Sequence, residues 1–218
     1  MKSIGLDNYS LKILVLCLLG WTLANMDQSF FGYAIPSLMT EFEIDLVVIG
    51  TILSVAFILA SFSVVLAGFL ADRYGRRSMF VFCLSVSALL VGLHSFVDNI
   101  ETMAVLRCVA FAVSTGLVPI TNSFVVETAP TRLRGIYSGI LQCGYPLGWF
   151  FASLIATPLL TDFGWRAMFL PALAVIPIAF VMGRVLPESI KFSELKNQDE
   201  IQLEKLSIKA RLGILLSN

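Results

Sequence analysis

An all-α membrane protein, built as a bundle of six transmembrane helices, is the fold class this sequence predicts, and three observations predict it. Hydrophobic residues make up 57% of the 218 positions and charged residues only 14%, with mean hydropathy +0.86, whereas soluble domains are nearer a quarter charged. Six apolar stretches are each long enough to cross about 30 Å of hydrocarbon at about 1.5 Å of helical rise per residue. Lysine and arginine crowd into alternate connections between those stretches.

The stretches fall at 11–38, 46–70, 78–97, 102–126, 136–160 and 166–186. The first is apolar from Ile13 onward, with Asp27 near its middle. The second contains no charge, and in the third His94 is the one ionisable group besides Cys83. The fourth holds a single charge, Arg107. The fifth is uncharged and rich in glycine, with Gly135-x-x-x-Gly139 and Gly144-x-Pro146-x-Gly148, so close helix packing and a proline kink are expected there. The sixth opens on Gly164-Trp165-Arg166 and closes on Leu186-Pro187-Glu188-Ser189. Short connections make consecutive spans antiparallel. His94, near the outer end of the third, is expected at the membrane interface.

The chain thus divides into a bundle over 1–187 and a polar segment over 188–218, whose Ile201, Lys205, Ile208 and Leu212 have helical spacing. That segment reads as an amphipathic cytoplasmic helix or the approach to a second half. Of the 15 lysines and arginines, 13 lie on the side of the termini, while Arg166 lies opposite and Arg107 within a span. The positive-inside rule then predicts a multi-pass protein of the plasma (inner) membrane with both termini cytoplasmic. The first apolar stretch runs too long for a cleaved signal peptide.

Several function classes are disfavoured. No basic tract suits nucleic acid. G-x-S-x-G, H-E-x-x-H, P-loop and dinucleotide motifs are absent, and with a single histidine neither a histidine-based triad nor a metal cluster is expected. Neither enzyme activity, cofactor nor metal is expected. Cys17, Cys83, Cys108 and Cys143 lack metal-ligand spacing and read as small core residues.

An internal echo supports a repeat. Residues 70–80 read LADRYGRRSMF and residues 160–169 read LTDFGWRAMF, sharing Leu, Asp, Gly, Arg, Met and Phe in order with one gap. The two strings fall on opposite membrane faces, as a three-plus-three inverted repeat requires.

Two loop motifs carry a family resemblance. Residues 68–77 match G-x-L-x-D-R-x-G-R-R, and Glu127, Pro130, Arg134 and Gly135 match E-x-x-P-x-x-x-R-G. With Gly164-Trp165-Arg166 and Leu186-Pro187-Glu188-Ser189, this order resembles the N-terminal half of a major facilitator superfamily transporter, akin to organic-acid and sugar proton symporters. The resemblance covers nearly the whole chain. It implies a cytoplasmic gate of Gly68, Asp72, Arg73, Gly75, Arg76, Arg77, Glu127 and Arg134, with the arginines pairing to Glu127 or Glu188. Gly68 would let another helix approach closely.

The candidate solute site is drawn around the intramembrane charges, since such charges usually face partners or water. Asp27 and Arg107 are expected to confront one another, Asp27 carrying a proton and Arg107 binding a carboxylate in a two-pronged way. Gln142 and Tyr145, on one stripe of span five with Ser138 and Trp149, and Asn122 on span four complete the set. Asn25, Gln28 and Tyr33 lie near Asp27 in sequence.

The expected function is proton-coupled symport of a small organic solute, favouring an aromatic or sugar acid. A neutral sugar transporter and a non-transporting six-span protein stay open. The expected partners are a solute, protons, the lipid bilayer, and a second six-helix half or self-association.

Overall fold

The computed structural model of the protein describes residues 8–188; the expected 188–218 segment lies outside them beyond Glu188. Six helices long and apolar enough to cross a membrane run over Asn8–Glu41, Leu46–Tyr74, Arg76–Phe96, Ile100–Thr128, Thr131–Phe163 and Trp165–Val185. We call them spans one to six. Each matches a predicted stretch; spans one, two, four and five run a few residues further into polar flanks, while spans three and six keep nearly their expected bounds. No strand occurs among the described residues.

Local chemistry explains the helix ends. Asp45 caps span two by accepting the Val48 N–H at 3.0 Å, and Asn99 caps span four by accepting that of Thr102 at 2.8 Å. Spans three and six start instead on glycines in matching conformations: Gly75 at φ 94° and Gly164 at φ 81°. Side chains rarely adopt that backbone region, so these two turns demand glycine.

Packing follows the inverted-repeat rule. Span one lies against span five, and span two against span four, which is the same pairing once spans one, two and three are exchanged for four, five and six. Close crossings coincide with small residues. A Cβ on Gly148 would sit 2.6 Å from the Thr22 carbonyl oxygen of span one, and one on Gly116 would sit 3.0 Å from Ala67 Cβ of span two. The expected close packing of span five therefore resides in Gly144 and Gly148. Gly135 and Gly139 have no described neighbour within 4 Å. The span breaks at Cys143, between helices Arg134–Gln142 and Gly144–Phe163, just before Pro146.

The echo strings occupy equivalent places. Met79 and Phe80 are buried behind Gly75, as Met168 and Phe169 are behind Gly164. Phe80 reaches into the notch at Gly20 of span one, and Phe169 meets Phe30 edge-on at 6.5 Å between centroids. Thus each repeat wedges one aromatic ring against span one.

One expectation is corrected and one gains detail. His94 stands near the end of span three, turned into the protein: it is 1% exposed, its ring stacked on Phe169 at 5.1 Å and its Nδ1 2.8 Å from the Leu90 carbonyl. An aromatic partner on span six and a main-chain acceptor make the interior hospitable to it. Cys17, Cys83 and Cys108 are buried as expected, but Cys143 is exposed at the break in span five.

Candidate functional site

A cavity of about 270 Å³ lies between spans one, two, four and five. Its charged wall is Arg107, which is 7% exposed. Nη1 of Arg107 donates to Gln28 Oε1 at 2.8 Å and to the Gln28 carbonyl at 3.3 Å. Its guanidinium carbon stands 4.5 Å from the Phe31 ring centroid and 5.1 Å from that of Phe111. Two flanking rings and an anchoring amide hold the cation in one orientation by cation–π attraction and hydrogen bonding. Phe111 lies four residues after Arg107 and Phe31 three after Gln28, so helical spacing sets both contacts.

Aromatic groups of spans one, two and five form the rest. Tyr145 and Trp149 have ring centroids 6.2 Å apart, and Tyr33 meets Trp149 edge-on at 6.0 Å while its hydroxyl donates to the Trp149 carbonyl at 3.3 Å. From span two, Phe57 lies 4.8 Å from Phe111 between centroids. Asn25 also lines the space, its amide donating to the Trp21 carbonyl at 2.7 Å. The result is a largely apolar, aromatic chamber with one oriented cation in its wall.

Of the sequence-derived candidates, Arg107 and Tyr145 meet in this cavity. The expected Asp27–Arg107 pair does not form. Asp27 is fully buried, and neither carboxylate oxygen has a hydrogen-bond partner. The cause is helical phase: neighbouring residues point about 100° apart, and Arg107 reaches the face bearing Gln28. Asp27 instead shares the buried stripe of Gly20, Ala24, Ala34 and Leu38, which meets Phe80 of span three at Gly20; Phe31, one turn on, borders the Arg107 cavity, but Asp27 itself does not line it. Asn122 does not line the cavity; its amide donates to the Val118 carbonyl at 2.9 Å. Gln142 is exposed and lies one turn from Tyr145 toward the face of the termini.

Phe31, Phe111, Phe57 and Leu53 were missed by sequence reasoning, because single aromatic or aliphatic residues within an apolar stretch look alike whichever way they point. The i+4 spacing of Phe111 from Arg107 was the one usable signal.

At the turn between spans two and three, Arg76 is 7% exposed, forms an ion pair with Glu127 of span four and stands 3.4 Å from Asp72 Oδ1 of span two. The Arg77 main-chain N–H donates to Glu188 Oε1 at 3.1 Å, so a peptide group of the motif meets Glu188. Arg73 lies over the Tyr74 ring at 5.6 Å, and Arg134 is exposed at the start of its helix. Gly68 meets nothing closer than Pro119 Cβ at 3.9 Å from a built Cβ, so within the described residues no helix uses it for close approach.

Comparison with known proteins accords with this architecture. The profile of the Major Facilitator Superfamily matches residues 17–218. The niacin transporter NiaP of Acinetobacter baylyi is 26% identical over 88% of this chain and 44% of its own length. The 4-hydroxybenzoate transporter PcaK of Pseudomonas putida is 28% identical over 92% of this chain and 45% of its own. The gallate transporter of the same species is 28% identical over 94% and 45%. The chain therefore spans about half the length of these relatives. The inward-open xylose transporter XylE from E. coli shares the fold at TM-score 0.71 and 20% identity, over 91% of this chain and 52% of that one. A bacterial homologue of the lysosomal transporter Spinster does so at 0.76 and 18%, over 84% and 46%. With its six spans, its inverted pairing and this match across most of its length, the chain belongs to the major facilitator superfamily.

Proposed function

We propose that this chain provides the N-terminal six spans of a proton-coupled transporter for a small aromatic carboxylate. The observation that carries the proposal is the Arg107 guanidinium held between Phe31 and Phe111 in an aromatic chamber. A carboxylate would take the place of the Gln28 amide on Arg107, while the solute ring would lie against Tyr145 and Trp149. That the relatives NiaP, PcaK and the gallate transporter are named for aromatic acids supports the same choice.

Asp27 carries the proton in this scheme. Its position one residue from Gln28 links it to the solute wall through span one. Coupling then passes through helix geometry, not through a direct Asp27–Arg107 contact. Asn122 and Gln142 would join only in states where the spans shift, and the Arg76 network would act as a cytoplasmic gate. In this topology the basic face, which carries the termini, is cytoplasmic. Alternating access needs two halves around one site, supplied by a second six-helix half or by self-association.

Uptake by the full-length protein in proteoliposomes tests the proposal. An aromatic acid should be accumulated under an inward proton gradient, and its uncharged amide analogue should not compete. Asp27→Asn should abolish uphill accumulation while leaving solute exchange. Equal competition by the amide, or by a neutral sugar, would remove the role given to Arg107; unimpaired uphill uptake by Asp27→Asn would remove that given to Asp27.

A further inference from the structure

A second cavity of about 360 Å³ lies where span three begins and span six ends. Two arginines from different spans border it: Arg77, in the first turn of span three, and Arg184, in the last turn of span six. Both are exposed, and neither guanidinium has an ion pair among the described residues. Ser78 adds a hydroxyl beside them. Glu188 also borders the space, with Oε1 accepting the Arg77 main-chain N–H at 3.1 Å.

The remaining wall is apolar. A Cβ on Gly183 would lie 2.3 Å from Val81 Cγ2, so the two spans touch there and close the floor of the groove. Phe180, at 57% exposed, forms its flank, and the surface continues into Val181 at 59% and Val185 at 43%. Charged groups at the membrane-facing end of two spans, above an apolar surface running toward the membrane centre, match an amphiphile. A free anion would use only the upper half of this site.

We propose that this groove binds an anionic phospholipid, its phosphate between Arg77 and Arg184 and its acyl stem along Val81 and Phe180. Basic pockets between spans are suited to such headgroups, and each Lys or Arg near an anionic surface strengthens binding about fivefold. The volume lies within the usual range for small-ligand pockets. A bound lipid would bridge spans three and six beside the Arg77–Glu188 contact, one residue from the buried Arg76 pair. The proposal is independent of which solute is carried.

The test is lipid retention by the full-length protein in detergent, followed by native mass spectrometry and by thermal shift on adding phosphatidylglycerol, phosphatidylcholine or inorganic phosphate. We expect phosphatidylglycerol to be retained over phosphatidylcholine. Arg184→Gln should weaken that retention about fivefold and Arg77→Gln/Arg184→Gln about 25-fold, while Arg184→Lys should keep most of it. Should the double variant fold poorly, the single variants and the wild-type lipid comparison decide alone. Unchanged retention in Arg184→Gln would overturn the assignment, as would equal retention of phosphatidylcholine. An equal thermal shift with inorganic phosphate would replace the lipid with a soluble anion.

Discussion

The turn between spans two and three and the turn between spans five and six share a sequence kernel and a backbone shape, yet they hold their arginines in different surroundings. In the first, Arg76 is 7% exposed and pairs with Glu127 of span four, with Asp72 at 3.4 Å. In the second, Arg166 has a side chain 38% exposed and donates to Glu41 Oε1 of span one at 2.6 Å and to the Val97 carbonyl at 3.0 Å. Under exchange of the two repeats span four becomes span one, so Glu127 and Glu41 are counterparts. Counted from Gly75 and Gly164, Arg76 stands where Trp165 does and Arg77 where Arg166 does, so the repeat sets an acid opposite each turn without fixing which position carries the arginine that pairs with it, and burial decides what the pair contributes.

The largest expected effect is at Arg76. Arg76→Gln removes a 7% exposed guanidinium from an ion pair whose other member, Glu127, is open to solvent, and a loss of about 2 kcal/mol is expected, between the values for buried and surface pairs. Thermal unfolding in detergent should show a clear fall in Tm. The same change at Arg166 should cost about 1 kcal/mol or less, and a loss as large as that of Arg76→Gln would erase the distinction drawn here.

Next come the turns themselves. Gly75→Ala and Gly164→Ala each force a side chain into a left-handed or glycine-only region, at about 1–2 kcal/mol. Gly164 has open space around it, so its penalty is purely conformational. Near-equal Tm losses in the two variants would sharpen the equivalence of the turns, and an unaffected Gly164→Ala would break it.

A smaller effect is expected at Trp165, whose indole donates to Glu41 Oε2 at 2.5 Å and whose ring meets Phe42 and Phe169 near 6.1 Å. Trp165→Phe keeps an aromatic packing surface and loses one charge-assisted hydrogen bond, about 1 kcal/mol. Smallest of all is the salt response. Raising ionic strength from 0.01 to 1 M should weaken the half-exposed Arg166–Glu41 pair by a few tenths of a kcal/mol and leave the Arg76–Glu127 pair nearly unchanged. A comparison of Arg166→Gln and wild type across salt, read as the difference in Tm, checks this.

Legibility in the sequence followed the same divide. Spans, their order and the echo of Gly75 in Gly164 could be read, because each rests on local composition or on a residue type with a single backbone meaning. Arg107 could be singled out as a candidate because a charge inside an apolar stretch is rare, and it does line a cavity. Its partner could not be. Asp27 and Gln28 are adjacent in the chain and differ only in the direction they point, and the orientation of span one is settled by Phe80 and Phe169 wedging against it and by Gly148 pressing on Thr22. Gly68 illustrates the opposite case, a motif glycine whose crowding is absent within the described residues.

What the amino-acid sequence determined alone was the number of membrane crossings, the segregation of positive charge and the repeat, since hydropathy and helix length are sums over consecutive residues. What only the tertiary structure decided was which side chains share a cavity: Arg107 with Gln28, Phe31 and Phe111, and Asp27 buried apart from them. Helix rotation sets those neighbours, and rotation is a property of how all the spans pack at once.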